Sequence, residues 1–319
     1  LTLSHSHTLT LAHSHTLTLS HAPRLTLTET HSVYIFPSHS DTQNNTHSPT
    51  DPHSPAKGFV APEKFAASIN LAIVLILTTF APVKSLPAVV WFTVNNIAEI
   101  DFKNKVIVLL CVKSQQTKLA IEELAMVAPA DIPICCVQNG VSNERTVLRY
   151  FKNVYATLVN LPAMYLKAGE VASYVSGLSG VLDTGRYPTG TDRLSQELAR
   201  DLRDAGFGAV SDPRVMRKKY GKLLMNVGNA VQAIIDPEDD VKEVYRSVRK
   251  ETEAVYFAGN IDYADRKEMS DLTEEMKITP VPGYERTASS SWQSLMRNTG
   301  DIETDYLNGE ISLLSLIHI

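Results

Sequence analysis

The chain has 319 residues, 44% of them apolar, which suits a globular protein of roughly two domains. Its formal net charge of -5 gives no electrostatic footprint for a nucleic-acid partner. Nine of the ten histidines lie between His5 and His53 and the tenth is His318, so any enzyme in residues 54–317 must move protons with lysine, glutamate, aspartate or tyrosine.

Residues 1–63 read as a low-complexity, disordered segment. "LTLSHSHTLTLAHSHTLTLSH" repeats Leu, Thr, Ser and His almost without charge, as translated simple-sequence DNA would. The pairs His5/His7 and His13/His15 could hold a metal weakly, and no secretory signal is visible. Phe65 to Val83 is uncharged and long enough to span a bilayer, but Asn70 and Pro82 interrupt it and its strongly apolar centre is only Leu71 to Leu77. It reads as buried or foreign sequence rather than a membrane span.

From about Asp101 the pattern alternates between α and β. "KVIVLLCVK" is a near-continuous apolar run, expected of a strand buried on both faces of a parallel sheet. "SQQTKLAIEELAMVA" has helical spacing. "IPICCVQNG" is a second buried strand, "NERTVLRYF" a helix and "VYATLVNLPAMYL" a third strand. Val171 to Val181 and the turn at Gly185 suggest a strand pair, and Leu194, Leu198 and Leu202 the stripe of a helix closed by Gly206. Cys111, Cys135 and Cys136 sit in apolar runs with neither zinc nor disulfide spacing, so three buried thiols in a reducing compartment are expected and no metal site.

Asp212-Pro213 has the form of a helix N-cap with proline behind it. The helix it would open contains "KYGKLLMNVGNA", where Lys222, Asn226 and Asn229 share one helical face. That stripe is either solvated or faces a cleft. Val241, Val244, Tyr245, Val248, Val255 and Tyr256 mark another long helix, and the remainder reads as helical. The fold class is therefore α/β, an incomplete Rossmann-type parallel sheet in residues 64–211 followed by an all-helical unit in residues 212–319.

Ligands of open parallel sheets sit beyond the carboxyl ends of the strands. Lys113, Gln116 and Asn139 occupy or adjoin such ends, as cofactor contacts or as loop residues that only cap a helix or turn. In "SSSWQSLMRNTGDIETDYLNGEI", Glu303, Tyr306, Leu307 and Glu310 share a helical face; taken alone, Glu303 reads more readily as a surface carboxylate.

Together "LLCVKSQQT", "QNGVSNE", "KYGKLLMN" and "SSSWQSL…TGDIETDYLNGE" resemble, in their order, the ketopantoate reductase (2-dehydropantoate 2-reductase) family over about residues 95–313. The resemblance implies a Rossmann domain joined to a helical domain of the 6-phosphogluconate dehydrogenase type. It implies NADPH-dependent reduction of a small 2-keto acid in pantothenate biosynthesis, by a cytoplasmic enzyme, with a homodimer possible. Lys222 then matches the lysine that gives a proton to the carbonyl oxygen, and Glu303 the glutamate that binds the substrate hydroxyl. Asn226 and Ser291 match substrate contacts, Asn139 the asparagine near the nicotinamide, and Lys113 and Gln116 residues of the cofactor cleft.

The chain departs from the family in three places. Gly58 is the sole glycine before Gly140, so a Gly-x-Gly-x-x-Gly phosphate turn cannot exist there and cofactor binding is expected to be impaired. Ala230 stands where a further asparagine is common, with Asn229 beside it. "LSLIHI" at 314–319 is what a transposon end used in library preparation would encode, and is expected to be foreign to the gene. The alternative from another class is a non-catalytic remnant or scaffold of the same fold.

Overall fold

The computed structural model describes residues 106–166, 172–235, 240–284 and 289–318, with 8–10, 15–18, 26–29 and 73–77 and the isolated Ile97, Ile100 and Phe102. The first three strands, β1 (Thr8–Thr10), β2 (His15–Thr18) and β3 (Thr26–Glu29), pair antiparallel in that order. The rest of the low-complexity segment, its His-x-His pairs included except for His15, lies outside the described residues. So does most of the apolar stretch 65–83; its described part is a five-residue strand, β4 (Ile73–Leu77). Among the described residues no helix is long and apolar enough to cross a membrane.

The central sheet has the order β11-β7-β6-β5-β4. Strands β5 (Val106–Leu110), β6 (Pro133–Cys136) and β7 (Asn153–Thr157) run parallel, while β4 and β11 (Thr184–Arg186) are antiparallel edges. Helices α1 (Thr117–Ala125) and α2 (Asn143–Val147) connect the parallel strands. The strand period of two sorts the side chains onto two faces. Val106, Val108, Leu110, Ile134 and Cys136 pack with Ile121 and Leu124 of α1 on one face. Ile107, Leu109, Cys135 and Tyr155 pack on the other against Leu198, Ala199 and Leu202 of α3 (Arg193–Asp204). Both faces are thus covered, which is why these strands read as unbroken apolar runs. Truncating Leu109 or Leu198 to alanine would cost about 2–5 kcal/mol through lost burial and the cavity left.

After β7 come the short strands β8 (Ala163–Met164), β9 (Ala172–Ser173) and β10 (Val175–Gly177). The expected long third strand is therefore divided between β7 and β8. β8 pairs with β9, whereas β10 pairs with β12 (Met276–Ile278), a strand in a part expected to be wholly helical.

The helical part contains α4 (Val215–Asn226), α5 (Asn229–Ile234), α6 (Lys242–Ala258), α7 (Arg266–Asp271), α8 (Ser290–Met296) and α9 (Thr304–His318). Leu223, Leu224, Val227, Val255, Tyr256, Leu307, Ile311 and Leu314 form its core, and Val141, from the loop after β6, inserts into it. Three details differ from the sequence reading. Asp212 does not cap α4 as N-cap: its Oδ1 accepts from Arg214 N in the preceding turn, and Arg214 is the N-cap. The expected single helix through Asn229 breaks at Val227–Gly228, so Asn229 opens a separate helix. Cys135 and Cys136 are buried as expected, and burial pushes both thiols up; Cys111 is exposed, contrary to expectation.

Candidate active site

The polar residues gather at the carboxyl ends of β5, β6 and β7. Beyond β5 the chain makes a short 3-10 turn, Ser114–Gln116, immediately after Lys113. Glu303, one residue before α9, is buried against it. One carboxylate oxygen accepts from Lys113 Nζ at 2.7 Å; the other accepts from Ser114 N and Ser114 Oγ, each at 3.1 Å. An ammonium, a turn-initial amide and a hydroxyl thus satisfy a carboxylate that burial would otherwise penalise. Glu303 is thus not the surface carboxylate its local sequence suggests: it is 5% exposed.

The loop after β6 continues the network. Ser114 Oγ approaches the Asn139 carbonyl at 3.5 Å, and that carbonyl also accepts from Asn143 Nδ2 at 2.9 Å. Asn143 is fixed through its Oδ1 by Thr117 Oγ1, and Gln138 Nε2 ties back to Val112 O and Thr117 Oγ1. Gly140 turns the chain with φ +79°, and a Cβ there would lie 3.1 Å from the Tyr306 carbonyl. A glycine is needed for both the backbone angle and the approach of α9. Asn139 Oδ1 then accepts from Asn226 Nδ2 at 3.3 Å. One turn earlier on α4, Lys222 Nζ donates to Asn160 Oδ1 at 3.2 Å.

The structure therefore brings together Lys113, Glu303, Asn139 and Asn226 through successive contacts, with Lys222 on the adjoining turn. Gln116 holds the turn through its backbone N–H to Lys113 O. Asn229 accepts from Ser289 Oγ at its carbonyl, so α5 meets the start of α8 there. Ser291 is 3% exposed, and its Oγ has no hydrogen-bond partner among the described residues.

Ser114, Asn143, Asn160, Lys219 and Glu144 were not marked by the sequence reading. Asn143 lay within the motif "QNGVSNE", and Ser114 directly follows a strand end, which is the available signal for both. Glu144 closes the same motif, whereas nothing local marks Asn160. Lys219 is buried at 3% exposure three residues before Lys222. Among the described residues no group of acids, histidines or cysteines is arranged to hold a metal ion.

Residues 82–188 match the family described as Ketopantoate reductase PanE/ApbA. That segment is similar to ketopantoate reductase sequence. Three solved structures are similar in fold. A PanE/ApbA family ketopantoate reductase from Ralstonia eutropha JMP134 is 24% identical, with TM-score 0.56 over 70% of this chain and 72% of that one. The 2-dehydropantoate 2-reductase of Methylococcus capsulatus is 20% identical, with TM-score 0.55 over 70% and 72%. A D-mandelate dehydrogenase solved with NADH and anilino(oxo)acetate is 19% identical, with TM-score 0.55 over 69% and 72%. At these identities the likeness is one of fold.

A nicotinamide cofactor can be tested against the side chains present. The strand ends carry Lys113, Gln116 and Asn139, donors and acceptors of the kind a nicotinamide carboxamide needs. No glycine turn precedes Gly140 to cradle a pyrophosphate, so the phosphate end does not fit.

Proposed function

We propose that the chain is built for NADPH-dependent reduction of a 2-keto acid of the 2-dehydropantoate type, with the cofactor's phosphate grip impaired. The observation that carries this reading is the unbroken set of contacts from Glu303 through Lys113, Ser114 and Asn139 to Asn226. Residues of α4, of the strand ends and immediately before α9, distant in sequence, are linked by those contacts.

When bound, the cofactor supplies the hydride. The chain's own residues do the rest. Lys222 Nζ donates a proton to the carbonyl oxygen as negative charge develops there. Asn160 holds that ammonium, and its partial burial leaves the charge less hydrated than in water. Glu303 orients the substrate oxygen, fixed by the Ser114 N–H and hydroxyl; Asn226 and Ser291 position the acid.

The test is NADPH binding followed by turnover of 2-dehydropantoate, read as loss of NADPH absorbance. The chain as it stands is expected to bind NADPH weakly; a submicromolar Kd would contradict the impaired phosphate grip. A version with a strand and Gly-x-Gly-x-x-Gly turn restored ahead of β5 is expected to turn over. Lys222→Ala in that version should lower kcat by about 10²–10⁴-fold, as loss of a proton donor does. Cofactor binding without turnover of any 2-keto acid would favour the scaffold alternative.

A further inference from the structure

One buried ion pair lies beside the candidate site without belonging to it. Lys219 of α4 and Glu144 of α2 are 2% and 0% exposed, and Lys219 Nζ lies 2.7 Å from Glu144 Oε1. The same ammonium donates to Gln138 O at 2.8 Å and Thr157 O at 3.2 Å. Those carbonyls stand at the ends of neighbouring parallel strands, just past β6 and at the last residue of β7. Two carbonyls and a carboxylate from three elements of the sheet region thus meet one side chain of the helical part, the first two through hydrogen bonds and the third through charge. Neither Glu144 oxygen has a hydrogen-bond partner among the described residues, so the Lys219 contact is an ion pair. The carboxylate relies on Lys219 for its compensation.

The position of this contact gives it meaning. Gln138 is the residue before Asn139, and Lys219 is one turn before Lys222 and two before Asn226. A rigid helix pinned at Lys219 to the carbonyl of residue 138 has its next two turns set against the same loop. The Asn226–Asn139 contact at 3.3 Å and the Lys222–Asn160 contact at 3.2 Å lie where such a pin would set them. We propose that Lys219, with Glu144, is a positioning residue that fixes the register of α4 against the strand ends and so aims Lys222 and Asn226. It does not touch the substrate. Its consequence for turnover rests on the reductase reading; its consequence for geometry does not.

The experiment uses the full chain and the paired variant Lys219→Met/Glu144→Leu, which removes both charges without stranding either. The first readout needs no turnover: the isotope-labelled side-chain amide resonances of Asn139, Asn160 and Asn226, with Asn298 as a control remote from the pin. In the folded paired variant the first three are expected to shift and exchange hydrogen faster while Asn298 stays put. If the paired variant does not fold, Glu144→Gln, equal in shape and uncharged, carries the same readout. Unchanged resonances of Asn139, Asn160 and Asn226 in a folded variant overturn the proposal. The second readout is turnover in the glycine-turn version, where the paired change is expected to lower kcat about a hundred-fold, as displacement by an ångström can. Shifted amides with no 2-keto-acid turnover even before the change would sink the reductase reading and leave the pin standing.

Discussion

Helix α4 carries three cations in a row, and its two sides treat them differently. On the outer side Arg217 meets Asp262 through Nε at 2.8 Å and Glu268 through both terminal nitrogens, with Glu268 44% exposed. The Arg217 hydrogen bonds hold the Glu268 carboxyl down to about 2. On the inner side Lys219 and Glu144 are sealed from solvent, and Lys218 joins Asp183 and Asp212 at 2.6 and 2.7 Å. Burial pulls Lys218 down, but the hydrogen bonds to Asp183 and Asp212 outweigh it and leave the amine above its usual value. Water and salt can replace the outer contacts, so their geometry is loosely enforced. Water cannot replace the Lys219–Glu144 contact and reaches Lys218 only in part. Buried ion pairs add little net stability but penalise misdocking heavily. The inner face therefore specifies where the helix sits, whereas the outer face mostly keeps it soluble.

This contrast can be broken experimentally. The largest expected effect is Lys219→Met alone, which leaves Glu144 buried and uncompensated and should cost about 3–5 kcal/mol in urea unfolding. The paired change with Glu144→Leu should recover most of that loss; equal losses in the two variants would mean that the charge is not what matters. Next is Lys218→Met, which strands the Asp183 Oδ2 atom and should cost about 1–3 kcal/mol. Because Lys218 is held above its normal range, its contribution is fully present below the unfolded amine's pKa and fades as pH rises through the folded value. Arg217→Ala should move the melting midpoint least among these cations, and added salt should erase what difference there is.

The smallest effect sharpens the same point at α9. Glu310 is buried, and burial raises its carboxyl, against the opposing pull of Arg145 3.7 Å away. The folded chain there prefers the protonated form, so the penalty is absent in acid and grows as pH climbs through the folded value. Glu310→Gln should raise the midpoint by about 1–3 °C near neutrality and leave it unchanged in acid. A gain that persists at low pH would point to packing instead of charge.

The same division governs what could be read from the sequence. The strands β5 to β7 announced themselves because burial on both faces demands continuous apolar runs, and strand ends drew attention to Lys113 and Asn139. Glu303 needed the family resemblance, since its partners Lys113 and Ser114 lie about 190 residues away and no local pattern records such a contact. Asn160 escaped because it sits in an irregular loop with no period to mark it. Lys219 escaped because a lysine beside another lysine reads as surface; its burial is imposed by Gln138, Thr157 and Glu144, all remote in sequence. The break at Gly228 was missed because helical spacing continues across it, and the tertiary packing of α5 on α8 overrides the pattern.

Val141 gives the two halves a shared tenant. It belongs by sequence to the sheet's loop and by packing to the helices, where it is 4% exposed. A protease cut between residues 205 and 214 should therefore yield two pieces that travel together on a sizing column, because separating them would pull an aliphatic plug out of its socket.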